Sequence, residues 1–243
     1  MLIARCADAA MAILFAPACA ACDSPLDAPS GGAVCHACWS GIRSLLPPLC
    51  DICGDSLVSW RAGSASLCIR CLRTPRVITC ARAIAAYDGT LREMLQALKY
   101  NGRRSLARPI GRLMAIAGEQ VLEGADLAVP VPLHFTRRYS RGFNQAADLA
   151  AHLGMPVLHG LRRTRVTATQ TELPEDERHR NVRDAFAVRK LARARLRGSV
   201  VVVVDDVSTT GATLDACARV LLEAGAREVR ALTAARAASL LQP

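Results

Sequence analysis

The sequence predicts an α/β protein, a doubly wound parallel sheet preceded by a small metal-pinned domain. Three observations predict it. Residues 200–204 are five consecutive valines, and an unbroken β-branched run reads as a strand buried on both faces. From Ala81 onward, strand-like segments alternate with segments of helical period, as βαβ units require. Eight of the eleven cysteines fall in four CxxC pairs between residues 19 and 71. The expected division is an N-terminal helix at 1–18, a cysteine-rich domain at 19–80 and the α/β domain at 81–243.

The first element is the apolar stretch 9–18, AAMAILFAPA. Only Arg5 precedes it and Asp8 borders it, which suits a secretory signal poorly. It is expected to form a short helix broken by Pro17, with its apolar side packed on one of the domains.

The cysteine pairs are Cys19 and Cys22, Cys35 and Cys38, Cys50 and Cys53, Cys68 and Cys71. A CxxC turn presents two sulfurs to one tetrahedral ion, and two such turns complete the coordination. The predicted metal is therefore zinc, two ions with four thiolates each. Disulfides would need an exported protein, and four regularly spaced copies suit neither a redox motif nor an iron–sulfur cluster as well. A closed site of four thiolates has no open position, so the ions are structural. Pairing in tandem is favoured over a cross-brace because its loop closures are shorter. His36, inside a hook, is expected to be a bystander, Gly54 to serve the knuckle's sharp turn, and Cys217 to be a buried small apolar residue.

In the α/β domain, strands are expected at 83–87, 126–131, 156–159, 183–188, 199–204 and 227–234, the fourth as an edge strand. Helices are expected at 91–100, 106–121, 143–153 and 214–224, the last ended by Gly225.

The valine strand ends in Asp205 and Asp206, followed by Ser208, Thr209, Thr210, Gly211, Ala212 and Thr213 at the start of a helix. Parallel strands deliver ligand-binding groups at their carboxyl ends. Backbone N–H groups and hydroxyls at a helix N-terminus can ring a phosphate, and paired carboxylates can accept from the vicinal hydroxyls of a ribose. A second candidate site opens at Val131, Pro132, Leu133 and His134, where prolines stop a strand, and continues through Arg137, Arg138 and Arg141. Guanidiniums beside a rigid turn can clamp pyrophosphate. A third is the aperiodic stretch around Gln170, Arg178 and Asn181, which reads as a lid.

With 51% hydrophobic residues the chain can build a core, but only 4% are aromatic, so Ala, Val and Leu must fill it. The formal charge of +10 points to an anionic partner such as phosphate or nucleic acid. Eight zinc-bound thiolates would bring it to roughly +6. No apolar run approaches the ~18 residues of a membrane span, so no membrane insertion is expected, and the expected compartment is the cytoplasm.

The loop Asp205–Thr213 resembles the ribose-phosphate loop of type I phosphoribosyltransferases. The whole chain resembles the ComF family. The resemblance rests on the four CxxC hooks, Tyr87 with Gly89, Leu98-Lys99-Tyr100, Pro130 and Pro132, the RGFNQ string at 141–145, Thr169-Gln170, Arg178, Asn181 and the loop at 205–213. It implies a double zinc ribbon joined to a type I phosphoribosyltransferase-like domain, and an association with natural competence and DNA uptake. If the chain is a transferase of that kind, its acceptor is unnamed. A nucleophile would displace pyrophosphate from phosphoribosyl pyrophosphate through an oxocarbenium-like state, with Mg²⁺ neutralising the leaving group. Asp205 and Asp206 would hold the ribose hydroxyls and residues 208–213 the 5′-phosphate. Arg137, Arg141 and Lys99 would stabilise the departing charge. The competing readings are a non-catalytic module for single-stranded DNA or a nucleotide, acting with DNA-uptake proteins, and a ligand-sensing regulator that binds without turnover.

Overall fold

The valine run lies inside a four-stranded parallel sheet in the computed structural model, which describes residues 8, 10–12, 14–57, 66–133, 142–164 and 184–237. The sheet contains β1 (Ala81–Ala86), β2 (Leu127–Pro130), β5 (Val200–Ser208) and β6 (Glu228–Arg236) in the order β1-β6-β5-β2. A separate two-stranded antiparallel sheet pairs β3 (Leu161–Arg163) with β4 (Phe186–Val188).

Side-chain alternation along β5 explains four of the five valines. Val202 and Val204 pack with α3 (Gly89–Tyr100), α4 (Ala107–Ala117) and α6 (Gln145–Ala150), through Leu95, Leu98, Ile110, Met114 and Leu149. Val201 and Val203 pack on the other face with Leu196 of the short α7 (Arg193–Leu196) and with Leu214, Cys217 and Leu221 of α8 (Ala212–Glu223). Each fully buried valine contributes roughly 1.5–3 kcal/mol, so both faces of this strand hold the sheet together. Cys217 is fully buried there, a small apolar filler as expected.

Several boundaries depart from the sequence reading. The helix expected at 106–121 breaks at Gly118 into α4 and the short α5 (Glu119–Leu122); a Cβ at residue 118 would lie 2.5 Å from a Leu232 methyl, so the close approach requires glycine there. The helix expected at 143–153 shortens to α6, capped by Asn144, whose Oδ1 accepts from the Ala146 N–H at 3.1 Å. The strand expected at 156–159 is a single bridge from Val157 to Ala128. The edge strand expected at 183–188 does not join the main sheet; β4 pairs with β3, and Phe186 buries its ring against the α8 face.

The cysteines group in tandem. Cys19, Cys22, Cys35 and Cys38 form one tetrad, and Cys50, Cys53, Cys68 and Cys71 the other, with the sulfurs of each within 4.8 Å of one another. Cys22 and Cys35 Sγ lie 3.8 Å apart, and Cys53 and Cys68 Sγ 3.5 Å. A tetrahedral ion with Zn–S bonds near 2.3 Å sets its sulfurs about 3.8 Å apart, so both cages fit zinc. Backbone N–H groups of Cys35 and Cys68 donate to Cys19 Sγ and Cys50 Sγ, as thiolates require. Helices α1 (His36–Ser40) and α2 (Ile69–Arg73) begin directly after Cys35 and Cys68. His36 takes no part in the first tetrad. Both tetrads carry structural zinc.

The two ribbons cover the open edge of β1, where unpaired strand groups would otherwise face solvent. Ser44, between them, bridges Ala85, and the Ala81 N–H donates to Ile52 O at 2.6 Å. The first ribbon joins the α3 core cluster through Cys19, Ala20, Leu26 and Val34. The N-terminal segment behaves differently from expectation. Its described residues from Asp8 to Phe15 are helical, yet Leu14 and Phe15 are 73% and 76% exposed, and Asp8 instead ties it to the ribbon by accepting from the Ser30 N–H at 2.8 Å.

Gly54 sits at the closest approach of the second ribbon to the sheet. Its φ is +71°, and an added Cβ would stand 2.6 Å from the Ala81 carbonyl oxygen. Gly54→Ala is expected to destabilise the protein by more than about 1 kcal/mol, because a left-handed turn and a backbone collision act together. Chemical denaturation reads this directly; an unchanged midpoint would rule out so tight a ribbon–sheet contact.

Candidate functional site

All four sheet strands are parallel, so their carboxyl ends meet at one edge. β5 continues past the valines through both aspartates to Ser208, with Asp205 opposite Thr233 and Ser208 opposite Arg236 on β6. Asp206 is nearly fully buried. Its Oδ2 lies 2.6 Å from Lys99 Nζ and accepts from Gln145 Nε2 at 3.3 Å, and its Oδ1 accepts from the Val207 N–H. Lys99 comes from the last turn of α3, and its ammonium lies 5.9 Å from the centre of the Tyr87 ring. Burial alone would lower the lysine's pKa; the Asp206 charge more than offsets this and raises it.

Asp205 Oδ1 accepts from the Asp206 N–H. Burial, and then the neighbouring Asp206 charge, push the Asp205 carboxyl up to about 8. A carboxyl raised in the folded state holds its proton where the unfolded chain has released it. The stability it contributes is full below its ordinary value of 3.8 and is lost as pH rises through about 8. Ligand-free Asp205→Asn is therefore expected to match the parent near pH 4 and to melt about 2 °C or more above it at pH 8.5. Parallel melting curves at both pH values would contradict the burial of this acid pair.

The loop after the aspartates is built from small polar residues. Ser208 Oγ and Thr209 Oγ1 are buried and have no hydrogen-bond partner among the described residues. Leaving a buried hydroxyl unpaired costs about 1–3 kcal/mol, so such groups mark the seat of a polar ligand or water. Thr210 Oγ1 accepts from the Ala212 N–H at 3.3 Å, and Gly211, at φ +82°, turns the chain into α8. Thr213 lies in the first turn of that helix. The N–H groups of the first turn and the helix dipole favour an anion here.

Val131 opens the second expected site one strand away. Its N–H donates to Val204 O at 2.9 Å, and its carbonyl accepts from Asn144 Nδ2 at 3.0 Å, which fixes Pro132 and Leu133 beside the acid pair's strand. His134, Arg137, Arg138 and Arg141 lie outside the described residues, as do the lid candidates Gln170, Arg178 and Asn181. A groove of about 1240 Å³ runs elsewhere, between β4 and α8 past Arg162, Lys190 and Arg219. Volume does not locate this site; paired acids, a buried lysine and unpaired hydroxyls do.

The sequence reading missed two sets of residues. Gln145 belongs to the RGFNQ string, but no role was attached to it; it reaches Asp206 from the first residue of α6. Behind the loop, Asp215 accepts from Arg76 Nη1 at 2.8 Å and from the Val77 N–H at 3.2 Å, and Arg236 forms a two-pronged pair with Asp55 of the second ribbon. Their signal was present: Asp215 interrupts the apolar side of α8, and Arg236 ends an apolar strand.

Residues 10–72 match the double zinc ribbon domain and residues 139–243 the phosphoribosyl transferase domain. The chain is 33% identical over 227 residues to DNA utilization protein YhgH of Escherichia coli K12, covering 87% of this chain and 93% of that protein. The chain belongs to the ComF family. Other members give the same picture. Competence protein F of Haemophilus influenzae is 29% identical over 84% of this chain and 90% of its own, and competence protein ComFC of Bacillus subtilis 28% over 79% of each. A solved structure of the allosteric regulatory enzyme of purine biosynthesis aligns with 53% of the chain and 26% of its own, at 25% identity and a TM-score of 0.35. As a ComF protein, the chain combines a phosphoribosyltransferase-type α/β fold with a double zinc ribbon. No helix among its described residues is long and apolar enough to cross a membrane.

Proposed function

We propose that this ComF protein binds phosphoribosyl pyrophosphate, or a related 5-phosphorylated ribose, at the carboxyl edge of β5, with Mg²⁺, in the handling of incoming DNA in the cytoplasm. The observation that carries the reading is the combination of Asp205 and Asp206 with two buried hydroxyls, just beyond them, that have no partner among the described residues. The carboxylates accept from the ribose 2′- and 3′-hydroxyls. Ser208, Thr209 and the amides leading into α8 donate to the 5′-phosphate. Lys99 is the cation at hand for a pyrophosphate, and Arg137 and Arg141 extend that role from the loop after Leu133.

The donor set suits Mg²⁺, which takes one or two carboxylates and completes its shell with substrate oxygens and water. Asp205 and Asp206 would hold it, and when bound it would neutralise the pyrophosphate charge. Lys99 now compensates Asp206; on ligand binding its ammonium is free to turn toward the pyrophosphate. The names of the relatives, competence protein and DNA utilization protein, support a setting in DNA uptake.

The test is a calorimetric titration of the full chain with phosphoribosyl pyrophosphate, with and without Mg²⁺. Mg²⁺-dependent binding is expected. Absence of binding, together with a steep salt-dependent affinity for single-stranded DNA, would replace this reading with that of a DNA-binding module.

A further inference from the structure

We infer that the second zinc ribbon positions the loop at 208–211, through Asp55, Arg70 and Arg76, so that this ribbon is a working part of the ligand site rather than a separate appendage; the inference rests on the ribose-phosphate reading of that loop. Three contacts converge on the loop from behind. Arg70, between Cys68 and Cys71, donates through Nη1 to the Thr209 carbonyl at 3.4 Å and lies 3.9 Å from Asp55 Oδ2. Asp55, two residues after Cys53, is gripped by Arg236, whose Cα lies opposite Ser208 in the sheet. Arg76, just beyond the ribbon, sets its guanidinium against Gly211, where an added Cβ would stand 3.0 Å from Nη1, while it pairs with Asp215 in the first turn of α8.

These contacts are sheltered from water. The side chains of Arg236 and Arg76 are 5% and 4% exposed, and those of Arg70 and Asp55 13%. Charge pairs so placed hold geometry firmly, because releasing one partner strands the other in a dry setting. Two loop hydroxyls remain buried with no partner among the described residues, while Arg70 holds the Thr209 carbonyl and Arg76 backs Gly211. That is the arrangement a preorganised ligand loop needs: the protein fixes the backbone and leaves the donors for the ligand. The first ribbon is placed differently. It packs on β1 and the start of α3, where Gly41 lies close to Thr90.

Arg70→Ala and Asp55→Asn test the inference in the full, zinc-loaded chain, with Arg43→Ala in the first ribbon as the control. Zinc content should stay at two ions per chain. Amide hydrogen exchange across 208–213 in the ligand-free protein should speed up about tenfold in the first two variants and stay unchanged in the control. Affinity for phosphoribosyl pyrophosphate should fall about tenfold alongside. Unchanged loop exchange with full zinc content would overturn the positioning role whether or not the parent binds ligand. A parent that fails to bind, with exchange changing as expected, would sink the ligand reading and leave the positioning role standing.

Discussion

Asp205→Asn combined with Asp206→Asn should abolish measurable binding of phosphoribosyl pyrophosphate while leaving the chain folded. Each carboxylate is expected to accept a hydrogen bond from a ribose hydroxyl or to hold Mg²⁺. Hydrogen bonds to charged groups contribute about 1.5–3 kcal/mol each, so losing both predicts an affinity loss of roughly 100-fold or more. The fold has little reason to suffer. An asparagine at 205 keeps the oxygen that accepts from the Asp206 N–H, and one at 206 keeps the acceptor for the Val207 N–H. What changes is the electrostatics: Lys99 loses its 2.6 Å partner and becomes a buried cation without a counter-charge. Asp205→Asn alone, which keeps the Asp206–Lys99 pair, is therefore measured in a parallel sample to separate binding from stability. Calorimetry on both variants, with circular dichroism to establish the fold, decides the matter. Affinity within a few-fold of the parent in a folded double variant would remove the aspartates from the ligand site.

The sequence exposed the chemistry of single elements and hid the contacts between them. Val200–Val204 could be read as a buried central strand because β-branching and the absence of any polar residue leave few alternatives. The zinc hooks were legible from spacing alone, since four sulfurs at CxxC spacing fit a tetrahedral ion without reference to the rest of the chain. Length was harder: β5 extends through Asp206, where charged residues ordinarily end a strand, because Lys99 and Gln145 compensate the acid from other elements. The need for glycine at residue 118 depends on the Leu232 side chain, more than a hundred residues away, which no local pattern encodes. β4 reads as an edge of the main sheet because strand period does not name a partner; it pairs with β3 instead. The same limit applies to Asp55, Arg70, Arg76 and Arg236. The sequence names no partner for any of them, and their burial arises only when the ribbon docks beside Gly54.

Losing the second zinc should cost more than losing a local ornament. Cys50→Ser with Cys53→Ser is expected to reduce bound zinc from two ions to one and to lower the melting temperature by about 10 °C or more. Structural zinc contributes apparent binding energies of about 10–16 kcal/mol in small finger peptides, as much as a whole domain's usual stability. Among its described residues this segment buries only Cys50, Cys53 and Cys71 in its own apolar cluster, too little to replace that contribution. Once the ribbon opens, Asp55 moves away and Arg236 is left nearly buried in β6 beside the loop, a cation without its partner. Breaking a sheltered pair in this way costs about 3–5 kcal/mol, so the damage travels into the α/β domain. Cys19→Ser with Cys22→Ser should also remove one ion, but the segment it frees is bound to the α3 face through Leu26 and Val34, so the fall should be smaller. Metal analysis and thermal melts on the two variants test the order. Equal losses, or a second-ribbon variant that melts within about 2 °C of the parent, would mean that the ion pairs between ribbon and sheet do not couple the two folds.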